Sequence, residues 1–529
     1  MAQTGNAQGD EAGRGMAGRS ARPAVALGGP LAVDDVVGVA RAGWLVVLPP
    51  ETAARLSRAR AFVDGLAAGD QPVYGVTTGV GKLKDTVIPP GERRALQANL
   101  VRSHAAGLGP PMSIPETRAM WCCLAASLAR GASGVRPAVV ELVRACLNGG
   151  ITPVVPEWGS LGASGDLIPL AHAALVLMGE GEVWRDGGRE PGGAALAAAG
   201  LAPLTLEAKE GLALLNGTHQ MAGTGALLVA DALALVRLAD VTGSMSLEAL
   251  MGSTLAADPR LHAQRPHPGQ AQAAANVRRL TAESAIVLSH ADCDRVQDAY
   301  SLRCLPQVHG ATRSALGFAR EVLERELQSV TDNPLVFPED GVVLSGGNFH
   351  GQPLALAFDT LALGVGYLAG IAERRIDRLV NPLVSELPAF LAAHGGLQSG
   401  YMLAQYQAAA LASEVKALAH PASADSIPTS GNQEDFVSMG AAAVRRCRDV
   451  LARVRAVLAI EAVCAAQALD LRAPLAPGRG SAAAHGAIRA VVPPLGDDRV
   501  IHKDLAAALA LLEEGRLLAA VESAVGPLD

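Results

Sequence analysis

Aromatic side chains are few in this chain. Seven Phe, five Tyr and four Trp make up 3% of 529 residues, although half of the residues are hydrophobic. The apolar mass falls to Ala, Leu and Val, and because Ala and Leu are strong helix formers the composition leans towards packed helices. Positive charge is not in excess either. The formal net charge is −7, so the basic footprint that nucleic acid or an anionic membrane surface would require is missing. The seven cysteines, at 122, 123, 146, 293, 304, 447 and 464, form no CxxC pair. An odd, unpaired set argues against a secreted disulfide framework. Apolar surroundings such as Trp121-Cys122-Cys123 read as buried, reduced thiols, the ordinary state of a cytoplasmic protein.

Targeting and spanning segments are also lacking. The N-terminal stretch MAQTGNAQGDEAGRGMAGRSARP has no apolar h-region of about 7–15 residues, so it is not a secretory signal. Its glycine-rich, polar text predicts a disordered extension over residues 1–30. The apolar run 360–372, bounded by Asp359 and Glu373, falls short of the roughly 20 residues that span a bilayer, and reads as a buried core helix. No internal repeat is visible, and no Pro/Ser-rich linker divides the rest, so residues 31–529 form one expected domain.

Helical periodicity fills that domain. Ser113 ahead of Pro115-Glu116 predicts a helix running on to Gly131. After Pro137, the residues Val139, Val140, Val143 and Leu147 recur at helical spacing, with Asn148-Gly149 as the C-cap. Leu316, Ala319, Leu323 and Leu327 repeat the pattern, and Asp504 opens a late helix that Gly515 closes. Alternating strand text is short and rare, as at Val342-Val343-Leu344. The expected fold is mainly α.

Six glycine-rich polar islands interrupt the helices: 74-YGVTTGVGKL-83, 159-GSLGASGDLIPLAH-172, 209-KEGLALLNGT-218, 297-QDAYSLRCLPQVHG-310, 345-SGGNFHGQP-353 and 427-IPTSGNQEDFVSMG-440. Loops of this kind on a helical scaffold are where catalytic groups usually sit. In Gly162-Ala163-Ser164-Gly165-Asp166, attack of the Gly165 nitrogen on the Ala163 carbonyl would close a five-membered ring. Loss of water would then turn the Ser164 side chain into an exocyclic methylene, a strong electrophile made without a bound cofactor. Asp166 and Pro169 would open a helix whose positive end favours negative charge there. Taken alone, the tripeptide is common and reads as a plain Gly-rich N-cap loop. Tyr74, embedded in glycines, can accept a proton if its pKa is lowered. Arg303 can bind a carboxylate through two parallel hydrogen bonds, and Tyr300 lies one helical turn before it. Phe349 sits between the polar Asn348 and His350, which argues against an ordinary core strand.

In order and in length, these islands resemble the aromatic amino acid lyase family, which includes histidine, phenylalanine and tyrosine ammonia-lyases and related aminomutases. The likeness covers roughly residues 33–529, with GSLGASGDLIPLAH matching the family's prosthetic-group motif almost throughout. It implies a long-helix bundle with a loop-rich N-terminal part, assembled as a homotetramer whose sites gather residues from three chains. It also implies that Ala163-Ser164-Gly165 becomes 4-methylidene-imidazol-5-one, with no metal and no external cofactor. In the family's terms Tyr74 removes the β-proton, Arg303 holds the substrate carboxylate, and Tyr300 and Asn216 stand beside the prosthetic group. Gln297 and Gln307 are neighbours in that cluster, and Phe349 lies against the ring or the substrate.

Two polar residues bear on the substrate. His104, in LVRSHAAGLG, and Glu434, in SGNQEDF, suit an imidazole with ring N–H donors; a phenyl ring would leave both unpaired, at roughly 1–3 kcal/mol each. Ser-His here and Gln-Glu-Asp in the later motif resemble the histidine lyases, so the expected reaction is elimination of ammonia from L-histidine to give trans-urocanate in the cytoplasm. Three positions depart from that pattern: Thr77 stands where Asn is common, Val80 where Phe is common, and Phe436 where His is usual. Tyrosine lyases and aminomutases share a histidine near position 104 and the VSMG text, and so form the alternative. The partners implied are a small amino acid and further copies of the chain, with neither nucleic acid nor membrane.

Overall fold

The computed structural model describes residues 22–69 and 71–529. Of the extension expected to be disordered over residues 1–30, residues 1–21 lie outside the described residues, and residues 24–26 form a strand instead. Strand Ala24–Ala26 pairs in parallel with Leu45–Val47, and Val25 and Leu27 are buried. Alternation of apolar and small residues over this short stretch is enough to seat a strand once a partner is supplied.

Long helices dominate. His219–Ala249, Leu305–Glu326, Gln352–Val380, Met402–Leu418 and Gly440–Asp470 pack against one another. The apolar run at 360–372 is the middle of the 29-residue helix Gln352–Val380, which continues it with a second apolar stretch, 354–358, before Asp359 and with the charged turn 373–378 after it. Leu361, Val365, Leu368 and Ala372, at helical spacing, are fully buried. This helix and His219–Ala249 are long and apolar enough to cross a membrane by length and composition; 61% and 72% of their apolar windows are buried inside the protein.

Local signals set many boundaries. Ser113 and Glu116 form a capping box, each side chain satisfying the other's backbone N–H, and the helix Ile114–Leu128 follows. The helix Pro137–Gly149 runs one residue past the expected cap, and Gly150, at φ 73°, takes the left-handed position. The late helix starts at Ile501, not at Asp504: the Asp504 carboxylate is drawn into a pair with Arg499 at 2.9 Å inside the first turn. Gly515, at φ 70°, ends it as expected. Val342–Leu344 is a strand, paired antiparallel with Leu335–Phe337. Five of the seven cysteines are buried; Cys293 is exposed and Cys304 half-buried, and all are free thiols.

The loop-rich N-terminal half lies on one side of the bundle's chain order. It contributes Arg93–His104, Leu167–Leu177 and the short Glu210–Leu215, three mutually contacting helices whose ends carry the islands.

Candidate active site

The tripeptide loop is held by backbone. Gly165 has φ +76°, and a Cβ there would lie 2.1 Å from the Gly217 oxygen. Asp166 N donates to Gly217 O at 2.7 Å and Gly217 N donates to Ser164 O at 3.2 Å. Gly162 has φ +70°, and a Cβ there would meet Ser438 Oγ at 2.1 Å. On that side Met439 N donates to Leu161 O at 2.8 Å and Ser438 Oγ to Gly162 O at 3.3 Å. The two glycines turn the chain back on itself between walls made mostly of main chain. Such a cradle fits a ring closed across 163–165, because it has no bulky side chain for the ring to displace.

Asp166 is buried and precedes the helix Leu167–Leu177, as expected, but its carboxylate caps a different one. It accepts from Gln220 N at 2.9 Å and Met221 N at 3.0 Å, in the first turn of His219–Ala249. Desolvation pushes this carboxyl up to about 7, against the backbone bonds from Met221 and Gln220. The island thus ties the loop to the longest helices of the bundle.

A cavity of about 1010 Å³ opens beside the tripeptide. Ala163, Ser164, Tyr74, His104, Asn216, Phe349 and Glu434 all line it, while Gly165 is buried behind them. Tyr74 is carried on a turn that Thr77 closes: the buried Thr77 hydroxyl accepts from Val73 N and donates to Gln71 O, both at 2.7 Å. Threonine at this position is therefore a turn-closing residue. Val80 is half-buried and lines the cavity.

The Tyr74 hydroxyl accepts from Gly81 N at 3.1 Å. Burial raises its pKa; the bond from Gly81 opposes this and the Glu434 charge adds to it. Within one subunit the phenol is thus held protonated, the reverse of the lowering expected of a base. The Tyr74 loop also reaches the 429–436 segment, where Lys84 Nζ donates to Gln433 Oε1 at 3.0 Å.

His104 ends the helix Arg93–His104. Burial lowers its pKa, partly offset by its bond to Leu100 and by Glu434, so the ring is neutral near pH 7. Its Nδ1 lies 2.8 Å from Leu100 O. A neutral ring that donates from Nδ1 carries its lone pair on Nε2. Glu434 is half-buried, and Thr429 Oγ1 donates to its Oε2 at 2.8 Å. Phe436, 62% exposed, also lines the cavity; it stacks on His350 with ring centroids 6.2 Å apart.

The remaining expected residues stand elsewhere. Gln297, Tyr300, Arg303 and Gln307 do not line this cavity. Gln297 and Tyr300 are exposed, the Arg303 guanidinium lies 4.7 Å from the Tyr300 ring centroid, and Arg303 Nε and Gln307 Oε1 are buried without hydrogen-bond partners. Gln307 lines a second, apolar groove of about 760 Å³ with Val308, Leu363, Tyr367, Ile371 and Val415. Asn333, Ser345 and Gln433 also line the cavity; Ser345 and Gln433 belong to the islands 345–353 and 427–440, whereas Asn333 carries no sequence signal of its own, since a polar residue in a turn is ordinary.

The aromatic amino acid lyase family pattern matches residues 31–490. Histidine ammonia-lyase of Sorangium cellulosum is 54% identical over 512 residues, covering 95% of this chain and all of the relative. That of Gloeobacter violaceus is 55% identical over 500 residues, covering 94% and 97%. Among solved structures, tyrosine aminomutase from Streptomyces globisporus superposes with a TM-score of 0.91 at 39% identity, over 96% of this chain and 100% of that one. Histidine ammonia-lyase from Trypanosoma cruzi does so with 0.87 at 42% identity, over 95% and 96%. With the tripeptide, the tyrosine loop and the polar pocket set in one cavity, and with this likeness across nearly the whole chain, the protein belongs to the aromatic amino acid lyase family.

Proposed function

We propose that this enzyme eliminates ammonia from L-histidine to give trans-urocanate. The observation that carries the reading is the meeting of Ser164 with His104 and Glu434 in one cavity. Ala163, Ser164 and Gly165 supply the prosthetic group: the Gly165 nitrogen bonds to the Ala163 carbonyl carbon, one water leaves the ring, and a second leaves with the Ser164 hydroxyl. The resulting 4-methylidene-imidazol-5-one supplies an electrophile that activates the substrate for loss of ammonia.

The chain's own side chains do the rest. His104, neutral and with its Nε2 lone pair free, accepts the imidazole N–H, and the Glu434 carboxylate takes a second N–H or the imidazolium charge. Tyr74 takes the β-proton. Its phenol must first ionise, which burial beside Glu434 opposes, so a cation has to approach it. Arg303 is that cation and the carboxylate ligand, with Tyr300, Gln297 and Gln307 around it, each reaching the cavity from a neighbouring copy. Phe349 packs against the substrate or the ring.

The assembly is a homotetramer. Support comes from the apolar groove that Leu305–Glu326, Gln352–Val380 and Met402–Leu418 leave uncovered, a face that a second copy of these helices would bury. The enzyme works in the cytoplasm on a free amino acid, without metal or added cofactor, nucleic acid or membrane.

Phe436 favours a second reading, because its flat ring beside His350 would also suit a phenol, giving a tyrosine lyase or aminomutase. A substrate panel followed by ultraviolet absorbance of the unsaturated acid decides between them. L-histidine should have the highest kcat/KM, and Glu434→Gln should lower histidine turnover far more than that of phenylalanine, since a pocket built to pair polar groups discriminates by up to about 10⁴-fold. A histidine-to-tyrosine ratio below one in the wild type would move the assignment to tyrosine.

A further inference from the structure

Lys209 and Asp332 are 0% and 1% exposed and lie outside the cavity wall. Lys209 Nζ donates to Asp332 Oδ2 at 2.6 Å. Lys209 is the N-cap of the Glu210–Leu215 helix and Asn216 is its C-cap, so one carboxylate ties down both ends of that helix: its other oxygen, Oδ1, accepts from Asn216 Nδ2 at 3.3 Å and from Asn333 N at 2.6 Å. Lys209 sits at φ 71°, a left-handed conformation that is unfavourable for a non-glycine residue and persists where surrounding bonds over-determine it.

This geometry fixes the Asn216 amide. Its nitrogen donates to Asp332 and, at 3.1 Å, to Asn333 O. Rotating the amide by half a turn would set its oxygen against a carboxylate and a carbonyl. Both N–H groups are therefore spent, and the oxygen is left as a buried acceptor without a partner, on a residue of the cavity wall. Within one subunit this oxygen is a buried acceptor that awaits a donor, from the substrate or from Tyr300, Gln297 or Gln307 of a neighbouring copy, and leaving it unpaired is costly. A substrate carboxylate cannot satisfy it, because it too is an acceptor. The donor shared by every α-amino acid is its α-amino group.

We propose that the Lys209–Asp332 ion pair is a positioning device that holds Asn216 so that its side-chain oxygen receives the substrate's α-amino group. Lys209 cancels the Asp332 charge, which leaves Asn216 a neutral acceptor: it orients the amine without holding it as strongly in its cationic form as a carboxylate would. The proposal depends on the ammonia-lyase reading only in that the substrate is an α-amino acid.

The test compares the amino acid with its deaminated product, which keeps the carboxylate and the ring but has no amine. Lys209→Met/Asp332→Asn removes both buried charges together and allows the Asn216 amide to turn; Asn216→Ala keeps the ion pair and removes the oxygen. Wild-type turnover of L-histidine, measured first, tests the underlying function. In either variant the KM for the amino acid should then rise roughly 10- to 100-fold, the scale of one hydrogen bond to a charged group. The inhibition constant of the product, urocanate, should stay within about twofold. Asn216→Ala also covers failure of the double variant to assemble. Equal weakening of substrate and product would mean that Asn216 serves the carboxylate or that the site has merely loosened. An unchanged KM would mean that Asn216 does not touch the amine. Either result overturns the proposal.

Discussion

Substitution of Gly165 by Ala should disable the enzyme through the main chain alone. Two costs follow from the geometry. At φ +76° a residue with a Cβ pays about 1–2 kcal/mol for the left-handed conformation. The new Cβ would also stand 2.1 Å from Gly217 O, where ordinary contact begins at 3.4 Å, so the two strands of the cradle must part by about 1 Å. Parting strains the bonds Asp166 N to Gly217 O and Gly217 N to Ser164 O, each worth roughly 0.5–1.5 kcal/mol. The total is about 2–5 kcal/mol, and the strand separation carries the Gly165 nitrogen off its line of attack on the Ala163 carbonyl. Thermal unfolding at matched protein concentration should show a lowered midpoint, and mass spectrometry of the folded fraction should show the uncyclised tripeptide. A Gly165→Ala protein with wild-type stability and a fully closed ring would refute this account of the cradle.

Tyr74→Phe should lower turnover by roughly 10²–10⁴-fold, the usual loss of a general base, and the wild-type rate should climb on the alkaline side of neutrality, because burial raises the Tyr74 pKa and the phenolate is the working form. If Arg303 holds the substrate carboxylate, Arg303→Lys, which keeps the charge but cannot form a two-bond fork, should lower kcat/KM by about 10²-fold. If Tyr74 and Arg303 of one site come from different copies, co-expressing the two variants should restore part of the activity, whereas no recovery in mixed assemblies would place both in one chain's site. Asp166→Asn tests the buried carboxyl. Its folded pKa of about 7 lies above the ordinary value of 3.8, so the fold holds this proton more tightly than the unfolded chain does. The contribution is fully present below about pH 4 and is lost as pH rises through 7, on the order of 4 kcal/mol. The variant should gain in thermal midpoint relative to wild type between pH 5 and 8, and parallel pH curves for the two proteins would contradict the assignment.

Much of the site can be read from sequence, because most of its parts interrupt a helix with glycine and polar text that a core would not tolerate. Ala163-Ser164-Gly165, Tyr74, Asn216, Phe349 and Glu434 lie in such islands and converge on one cavity; His104, at the end of a helix, lies outside them and is found through the likeness of Ser103-His104 to the histidine lyases. Helix content follows from Ala and Leu, and caps such as Ser113 from local hydrogen-bonding chemistry. What does not show is long-range pairing. Nothing in Lys209 or Asp332 marks them as buried partners 123 residues apart, and a lone charge in a polar loop reads as solvated. Asp504 reads as a helix start because a capping carboxylate and a salt-bridged one are the same letter. The direction of the Tyr74 shift escapes the sequence for a related reason: burial and the position of Glu434 decide it, and both are tertiary. Arg303 and its neighbours are legible as a polar island, but a sequence does not say that the chain's own cavity leaves them out.

The central claim is that this chain makes its own electrophile from residues 163–165. Proteolysis of the native, active enzyme followed by mass spectrometry of the peptide containing Ala163-Ser164-Gly165 measures it directly. The peptide should be lighter than its encoded mass by two waters, and the same peptide carrying Ser164→Ala should not lose the second. An encoded, unmodified mass in a preparation that still eliminates ammonia would contradict the account.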